Sequence, residues 1–76
     1  MSVMTTAFDW HVHPTSDETF LVLEGEVVLS FEEGEGVLRP GQLFTVPRGV
    51  RHKTRPGGER SVNLTFERAD AVTLFD

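Results

Sequence analysis

The chain has 76 residues, with 12 acidic and 7 basic side chains for a formal net charge of −5, three histidines and no cysteine. That length suits one domain, residues 1–76, which buries only about 60% of the surface its unfolded form exposes, so help from a bound metal or a second subunit is expected. Missing cysteine excludes disulfides, thiolate catalysis and thiolate-rich zinc or iron–sulfur sites, net acidity argues against nucleic acid, and short apolar runs without an apolar leader predict no membrane span and a cytoplasmic protein.

No segment carries a helical stripe, and apolar stretches alternate with glycine, proline and acidic punctuation, which predicts an all-β chain. In chain order, strands are expected at Thr6 to Val12, Glu18 to Leu23, Val27 to Phe31, Gly36 to Leu38, Leu43 to Val46, His52 to Thr54, Arg60 to Phe66 and Ala71 to Phe75. The intervening turns carry the glycines and prolines that supply a positive or a fixed φ. Strands of this length and spacing suit a small barrel or sandwich. Charge is segregated: residues 1–38 hold eight acids and no Lys or Arg, whereas Arg39, Arg48, Arg51, Lys53, Arg55 and Arg60 face only Glu59 in residues 39–60. The basic run around His52 reads either as an attractor for a small carboxylate or phosphate or as a solvated strand face near an edge.

Alternation assigns faces. With His11 and His13 pointing inward, Phe8, Trp10 and Val12 point outward; with Glu18 inward, Phe20 and Val22 follow it and Leu21 and Leu23 face out. Trp10, Val12, Leu21 and Leu23 then make an outward apolar patch, which predicts a homodimer through that sheet face; cover by the chain's own first or last strand is the alternative. Phe31, Phe44, Val46, Leu64 and Phe66 are expected inside with Phe20 and Val22, as core more than as pocket wall. Asp17 is expected to cap a backbone amide in its turn, Glu24 to sit on a rim, and Arg48 or Arg51 either to clamp a substrate carboxylate or to be solvated.

All three histidines fall in two short segments, His11 and His13 followed by Glu18 in one and His52 in the other. Residues i and i+2 on a strand share a face about 6.6 to 6.8 Å apart, so His11 and His13 can aim at one point, and a short turn brings Glu18 alongside. With His52 they offer three imidazoles and a carboxylate, a set suited to one divalent ion of iron, manganese, nickel, cobalt or zinc. Positions left open on such an ion would take water, a chelating substrate or dioxygen.

These segments resemble the two motifs of the cupin superfamily, and most closely those of its small single-domain members. The first motif, His-x-His, a short gap, Glu, six residues and Gly, is matched by His11, His13, Glu18 and Gly25. The second, Gly, five residues, Pro-x-Gly, two residues and His, is matched by Gly41, Pro47, Gly49 and His52. The resemblance implies a jelly-roll (double-stranded β-helix) barrel of the RmlC-like type, with His11, His13, Glu18 and His52 as metal ligands, Gly25 and Gly41 at turns, and Pro47 with Gly49 delivering His52. Thr5 stands where the family has a glycine and Pro56 where it has an asparagine. An N-terminal stretch of one or two strands is expected to be missing, leaving an edge that exchange of the first strand between subunits would pair. Three functional classes remain open: an oxygenase-, isomerase- or decarboxylase-type enzyme acting on a small, perhaps anionic molecule, a binding module, and a metal-stabilised partner protein. Beyond the ligands the chain has no histidine, cysteine or tyrosine for proton transfer, which favours oxygen activation or simple Lewis-acid chemistry among the enzymatic classes.

Overall fold

The structure, a computed structural model, describes residues 1–75. Its regular elements are strands: β1 (Ser2–Met4), β2 (Phe8–Val12), β3 (Glu18–Glu24), β4 (Val27–Phe31), β5 (Gly34–Leu38), β6 (Leu43–Val46), β7 (His52–Pro56), β8 (Ser61–Phe66) and β9 (Leu74–Phe75). They form a four-stranded sheet in the order β1-β8-β3-β6 and a five-stranded sheet in the order β5-β4-β7-β2-β9. Neighbouring strands are antiparallel throughout. This is the all-β, jelly-roll architecture expected. Among the described residues no helix is long and apolar enough to cross a membrane.

The inner faces meet over a core of Phe20 and Val22 from β3, Val27 and Leu29 from β4 and Val46 from β6. Each buried side chain of this size contributes about 1.5–3 kcal/mol. Tight connections hold the registers. Gly25, at φ 71, turns β3 into β4 so close to β8 that a Cβ there would lie 2.5 Å from the Arg60 carbonyl oxygen, so only glycine fits. The loop before β6 is tied to β3 by Gly41 N–H donating to Val22 O at 2.8 Å.

Four expectations are corrected. Ser2–Met4 is a strand, and it pairs with β8 of the same chain, Ser2 opposite Asn63 and Met4 opposite Ser61, so that edge is covered without strand exchange. The last strand is only Leu74–Phe75, beside β2. The preceding tail is instead bound to the β2–β3 turn, where buried Ser16 Oγ accepts from Arg68 N–H at 2.9 Å. On β2 the register slips by one residue between Phe8, opposite Thr54, and His11, opposite His52. This bulge brings Phe8 to the inner face, where its ring lies 6.4 Å from that of His11, because an extra residue reverses the parity beyond it.

The fourth correction concerns the outer faces. Trp10 and Val12 belong to the five-stranded sheet and Leu21 and Leu23 to the four-stranded one, so they form no common patch. Trp10 is covered by its own strand neighbours, with the Arg51 guanidinium 4.3 Å and the Lys53 ammonium 5.0 Å from its ring centre. The β8 register puts Leu21 beside Leu64 and Thr19 beside Phe66. Leu64 and Phe66 therefore lie outside the barrel. The outer face of the four-stranded sheet, made of Val3, Thr19, Leu21, Leu23, Leu43, Thr45, Val62, Leu64 and Phe66, is charged only at one end, where Glu24 stands opposite Val62 and pairs with Arg60. Val3, Leu43 and Phe66 are each more than half exposed on it.

Candidate metal centre

The site spans both sheets. β2 delivers His11 and, one residue past its end, His13; β7 opens with His52 directly opposite His11; β3 opens with Glu18 in the other sheet. The turn before β7 is held by Gly49, at φ 78, whose N–H donates to the His13 carbonyl at 2.9 Å. The turn thus aligns two of the predicted ligands with each other. Asp17 caps a backbone amide, but in this turn and not in its own as expected, accepting from Arg48 N–H at 2.8 Å.

One ligand atom from each of His11, His13, Glu18 and His52 lies within 4.8 Å of the other three. Bonds of about 2.1 Å put neighbouring donors about 3.0 Å apart at right angles and about 4.2 Å apart across an ion, so the group is of coordinating size. All three histidines are buried, His52 completely. His11 Nδ1 lies 2.7 Å from Asp9 O, His52 Nδ1 2.9 Å from Val50 O, and His13 Nδ1 3.3 Å from Val72 O. Carbonyl oxygens accept only, so each ring carries its hydrogen on Nδ1, and the Nε2 lone pairs are left for the centre. The Nε2 atoms of His13 and His52 stand 3.2 and 3.3 Å from Glu18 Oε1. Lone pairs facing a carboxylate oxygen at this range repel unless a cation or a proton stands between them. His13 Nε2 is buried and, although close to Glu18, makes no hydrogen bond of acceptable geometry. The donor set therefore fits a divalent metal.

Electrostatics prepare the same state. Burial on its own pushes the Glu18 carboxyl up, but when protons occupy the space between the Nε2 atoms and the carboxylate, the hydrogen bond from His52 and the positive charge of His13, His52 and His11 outweigh it and hold the group below its ordinary value, an effect a cation in that space would reproduce. Burial, reinforced by the His52 and His13 charges and opposed by the Asp9 hydrogen bond, holds His11 below its own. Carboxylate and neutral imidazole are the forms that bind metal.

A cavity of about 260 Å³ opens beside the cluster, walled by His11, His13 and Glu18 and by the rings of Phe8, Phe20 and Phe75. None of its described lining residues is Lys or Arg. The basic run instead pairs with acids away from it, as in Arg55 with Glu35 at 3.6 Å and Arg51 with Glu32 at 3.9 Å. Neither Arg48 nor Arg51 is among the residues lining the cavity, so of the two readings offered for them, a carboxylate clamp or a surface side chain, the structure favours the second. Glu24 is exposed and pairs with Arg60 at 3.3 Å. Sequence reasoning missed Asn63, Thr65 and Glu67, whose side chains line the cavity. It also missed the tail that buttresses His13 through Val72 O, Thr73 Oγ1 at 3.2 Å and Glu67 Oε2 at 3.9 Å. The available signal was the alternation Ser61, Asn63, Thr65, Glu67, polar at every second position of one strand.

The Cupin domain family profile matches residues 3–66, most of the chain. The chain belongs to the cupin family. This cupin is 43% identical over 76 residues to the uncharacterized protein YdbB of Bacillus subtilis (strain 168), covering 99% of this chain and 66% of that one. It is 34% identical over 77 residues to the 3-hydroxyanthranilate 3,4-dioxygenase of Jannaschia sp. (strain CCS1), covering 88% of this chain and 42% of the dioxygenase. Among solved structures, a cupin-2 domain containing protein from Shewanella frigidimarina NCIMB 400 superposes with a TM-score of 0.77 at 30% identity, over 87% of this chain and 65% of that one. The chain thus spans about two thirds of the length of the Bacillus relative and less than half of the dioxygenase.

Proposed function

We propose that this cupin is a metal-dependent enzyme on a small molecule, with His11, His13, Glu18 and His52 as the ligands of one divalent ion and the adjoining cavity as the substrate site. The observation that carries the reading is the convergence of imidazoles whose Nδ1 atoms are committed to backbone carbonyls on a single, largely buried carboxylate, with an open cavity beside them. A metal of purely structural role is usually closed in by protein, whereas a catalytic one keeps a free position; three of the four residues border the cavity, which favours the second case. A divalent ion held there supplies Lewis-acid polarisation of an oxygen or activation of dioxygen. The similarity to a protein named as a dioxygenase supports the latter.

The chain's own contributions are distinct. His52, wholly buried, fixes the site to the five-stranded sheet, and Glu18 fixes it to the four-stranded one. The three phenylalanines keep the approach partly apolar and limit water. Glu67, a carboxylate on the cavity wall, is the group placed to accept or return a proton, a role for which no fourth histidine exists. Non-catalytic binding of a small molecule is the second reading, favoured by the same scarcity of proton-transfer groups.

The functional unit in this reading is a homodimer formed through the outer face of the four-stranded sheet, apolar but for its Glu24 end. Its contrast with the opposite outer face, where Arg51, Lys53 and Arg55 lie, supports a second copy there in preference to solvent. The test of the proposed function is metal analysis by mass spectrometry on protein purified without a polyhistidine tag. Near one equivalent of a divalent metal per chain is expected. No metal after reconstitution with iron, manganese, nickel, cobalt or zinc would refute the assignment.

A further inference from the structure

β8 runs against the usual pattern of a barrel strand. Its inner positions are Ser61, Asn63 and Thr65, followed by Glu67, and its outer ones are Leu64 and Phe66. Asn63 is the decisive member. It is 0% exposed, lies between Ser2 of β1 and Val22 of β3, and contributes to the cavity wall. Among the described residues neither its Oδ1 nor its Nδ2 has a hydrogen-bond partner. A buried carboxamide with both ends unused by the protein is costly, on the order of 1–3 kcal/mol for each unsatisfied group. A leucine, branched at the same carbon and without polar atoms, would remove that penalty and place its extra volume toward the cavity. Ser61 Oγ, two residues earlier, is likewise unpaired but does not line the cavity, whereas Asn63 does, its amide atoms just beneath the accessible surface where a small shift of the wall brings them to a ligand.

The charges around it narrow what it meets. Glu18 and Glu67 are the ionisable acids on the wall, no Lys or Arg joins them, and the two carboxylates together balance a divalent ion. An anion entering this space gains no net attraction. A carboxamide offers one donor group and one acceptor on neighbouring atoms, and the partner that satisfies both at once is its complement. We infer that Asn63 is the residue that selects the ligand of this site, and that the ligand is a small uncharged molecule with a hydrogen-bond donor and acceptor on adjacent atoms, such as a carboxamide or a hydroxy-carbonyl compound, in preference to a carboxylate or phosphate. The volume of about 260 Å³ matches a molecule of roughly nine non-hydrogen atoms, given ~30 Å³ for each water displaced. This inference rests on the metal-centred reading only for the charge balance; the role of Asn63 stands on its burial and unused polar atoms.

Asn63 and Gln42 are the only side-chain carboxamides in the chain, so a nitrogen-15 spectrum shows two such groups, one in the cavity and one on an exposed turn as an internal control. Titration of zinc-loaded protein with glycolamide, and in parallel with the anionic analogue glycolate, reads the proposal directly. Glycolamide is expected to move the Asn63 resonances and leave those of Gln42 in place, with glycolate binding at least about tenfold more weakly, the effect of one well-formed hydrogen bond lost. Asn63→Leu is expected to keep its zinc and melt no lower than the parent, while binding glycolamide at least about tenfold more weakly. The absence of an Asn63 shift, equal binding of the two probes, or a large fall in the melting temperature of Asn63→Leu would each overturn the inference. Zinc content is measured on the same samples. Full zinc with a silent Asn63 refutes the inference alone, whereas a responsive Asn63 in protein that holds no metal supports the inference and refutes the metal centre.

Discussion

Replacing His52 by alanine separates metal linkage from packing. His52 is 0% exposed, its Nδ1 is 2.9 Å from Val50 O, and its ring centre is 4.3 Å from that of His11. Truncation leaves a void and an unpaired carbonyl, worth about 2–3 kcal/mol, and this loss is present with or without metal. The second effect exists only with metal. At a free concentration 1,000 times the dissociation constant, the ion adds about 4 kcal/mol of apparent stability. If losing one of four donors weakens binding by ~100-fold, the gain at the same concentration falls to about 1.4 kcal/mol. For a domain of this size each kcal/mol moves the midpoint by about 4–8 °C, so chelation should lower the parent by about 15–30 °C and His52→Ala by about a third of that. Calorimetry of both proteins with and without chelator, beside metal analysis and the exposed control Thr15→Ala, provides the four values needed. Full stoichiometry in His52→Ala, with an unchanged chelator-dependent shift, would refute the ligand assignment.

Acid stability should depend on Asp17. The Arg48 backbone hydrogen bond, then the Arg48 side chain, hold its carboxyl below the ordinary value of 3.8 against a small opposing effect of burial. A depressed folded pKa gives stability that is complete above the unfolded value and lost as pH falls through the folded one, so melts from pH 5 down to about pH 2 should flatten in Asp17→Asn; an unchanged slope would contradict this. Gly25→Ala is expected to lower stability by at least about 2 kcal/mol, since both its φ of 71 and the nearby Arg60 carbonyl exclude a Cβ; a urea midpoint equal to the parent's would show that the turn relaxes. Phe66→Lys, placed on the apolar outer face, should shift sedimentation from a dimer to the 8.5 kDa chain with metal content retained; a parent that already sediments as a monomer at micromolar concentration would dismiss the dimer.

The four-residue cluster was legible because its spacing is local. His11 and His13 sit two apart on one strand, Glu18 follows a short turn, and the Pro47–Gly49 turn announces His52. What strand alternation could not supply was the sign of β8. Leu64 and Phe66 were assigned to the core because apolar residues normally face inward, and here the strand turns Asn63 and Thr65 inward instead. Functional sites are where such rules fail. The bulge in β2 reversed Phe8 in the same way, since one inserted residue is invisible to a count by twos. The support of His13 by Val72, Thr73 and Glu67 joins segments about sixty residues apart and rests on the fixing of Arg68 to Ser16. No periodicity encodes a contact of that range.

The inversion of β8 also bears on how assembly ends. A sandwich with two adhesive outer faces stacks without limit, each copy offering a fresh surface to the next. Here one outer face is charged only at its Glu24 end, and the other carries Arg51 and Lys53 over Trp10 and the Arg55–Glu35 pair. A copy that joins through the first face would present the second to solvent, and burying its hydrated ion pairs, Arg55 with Glu35 and Arg51 with Glu32, between further copies would cost desolvation. The strand that turns its polar side toward the cavity thereby leaves a single apolar outer side, and in the proposed dimer association through it would be self-terminating rather than fibrous.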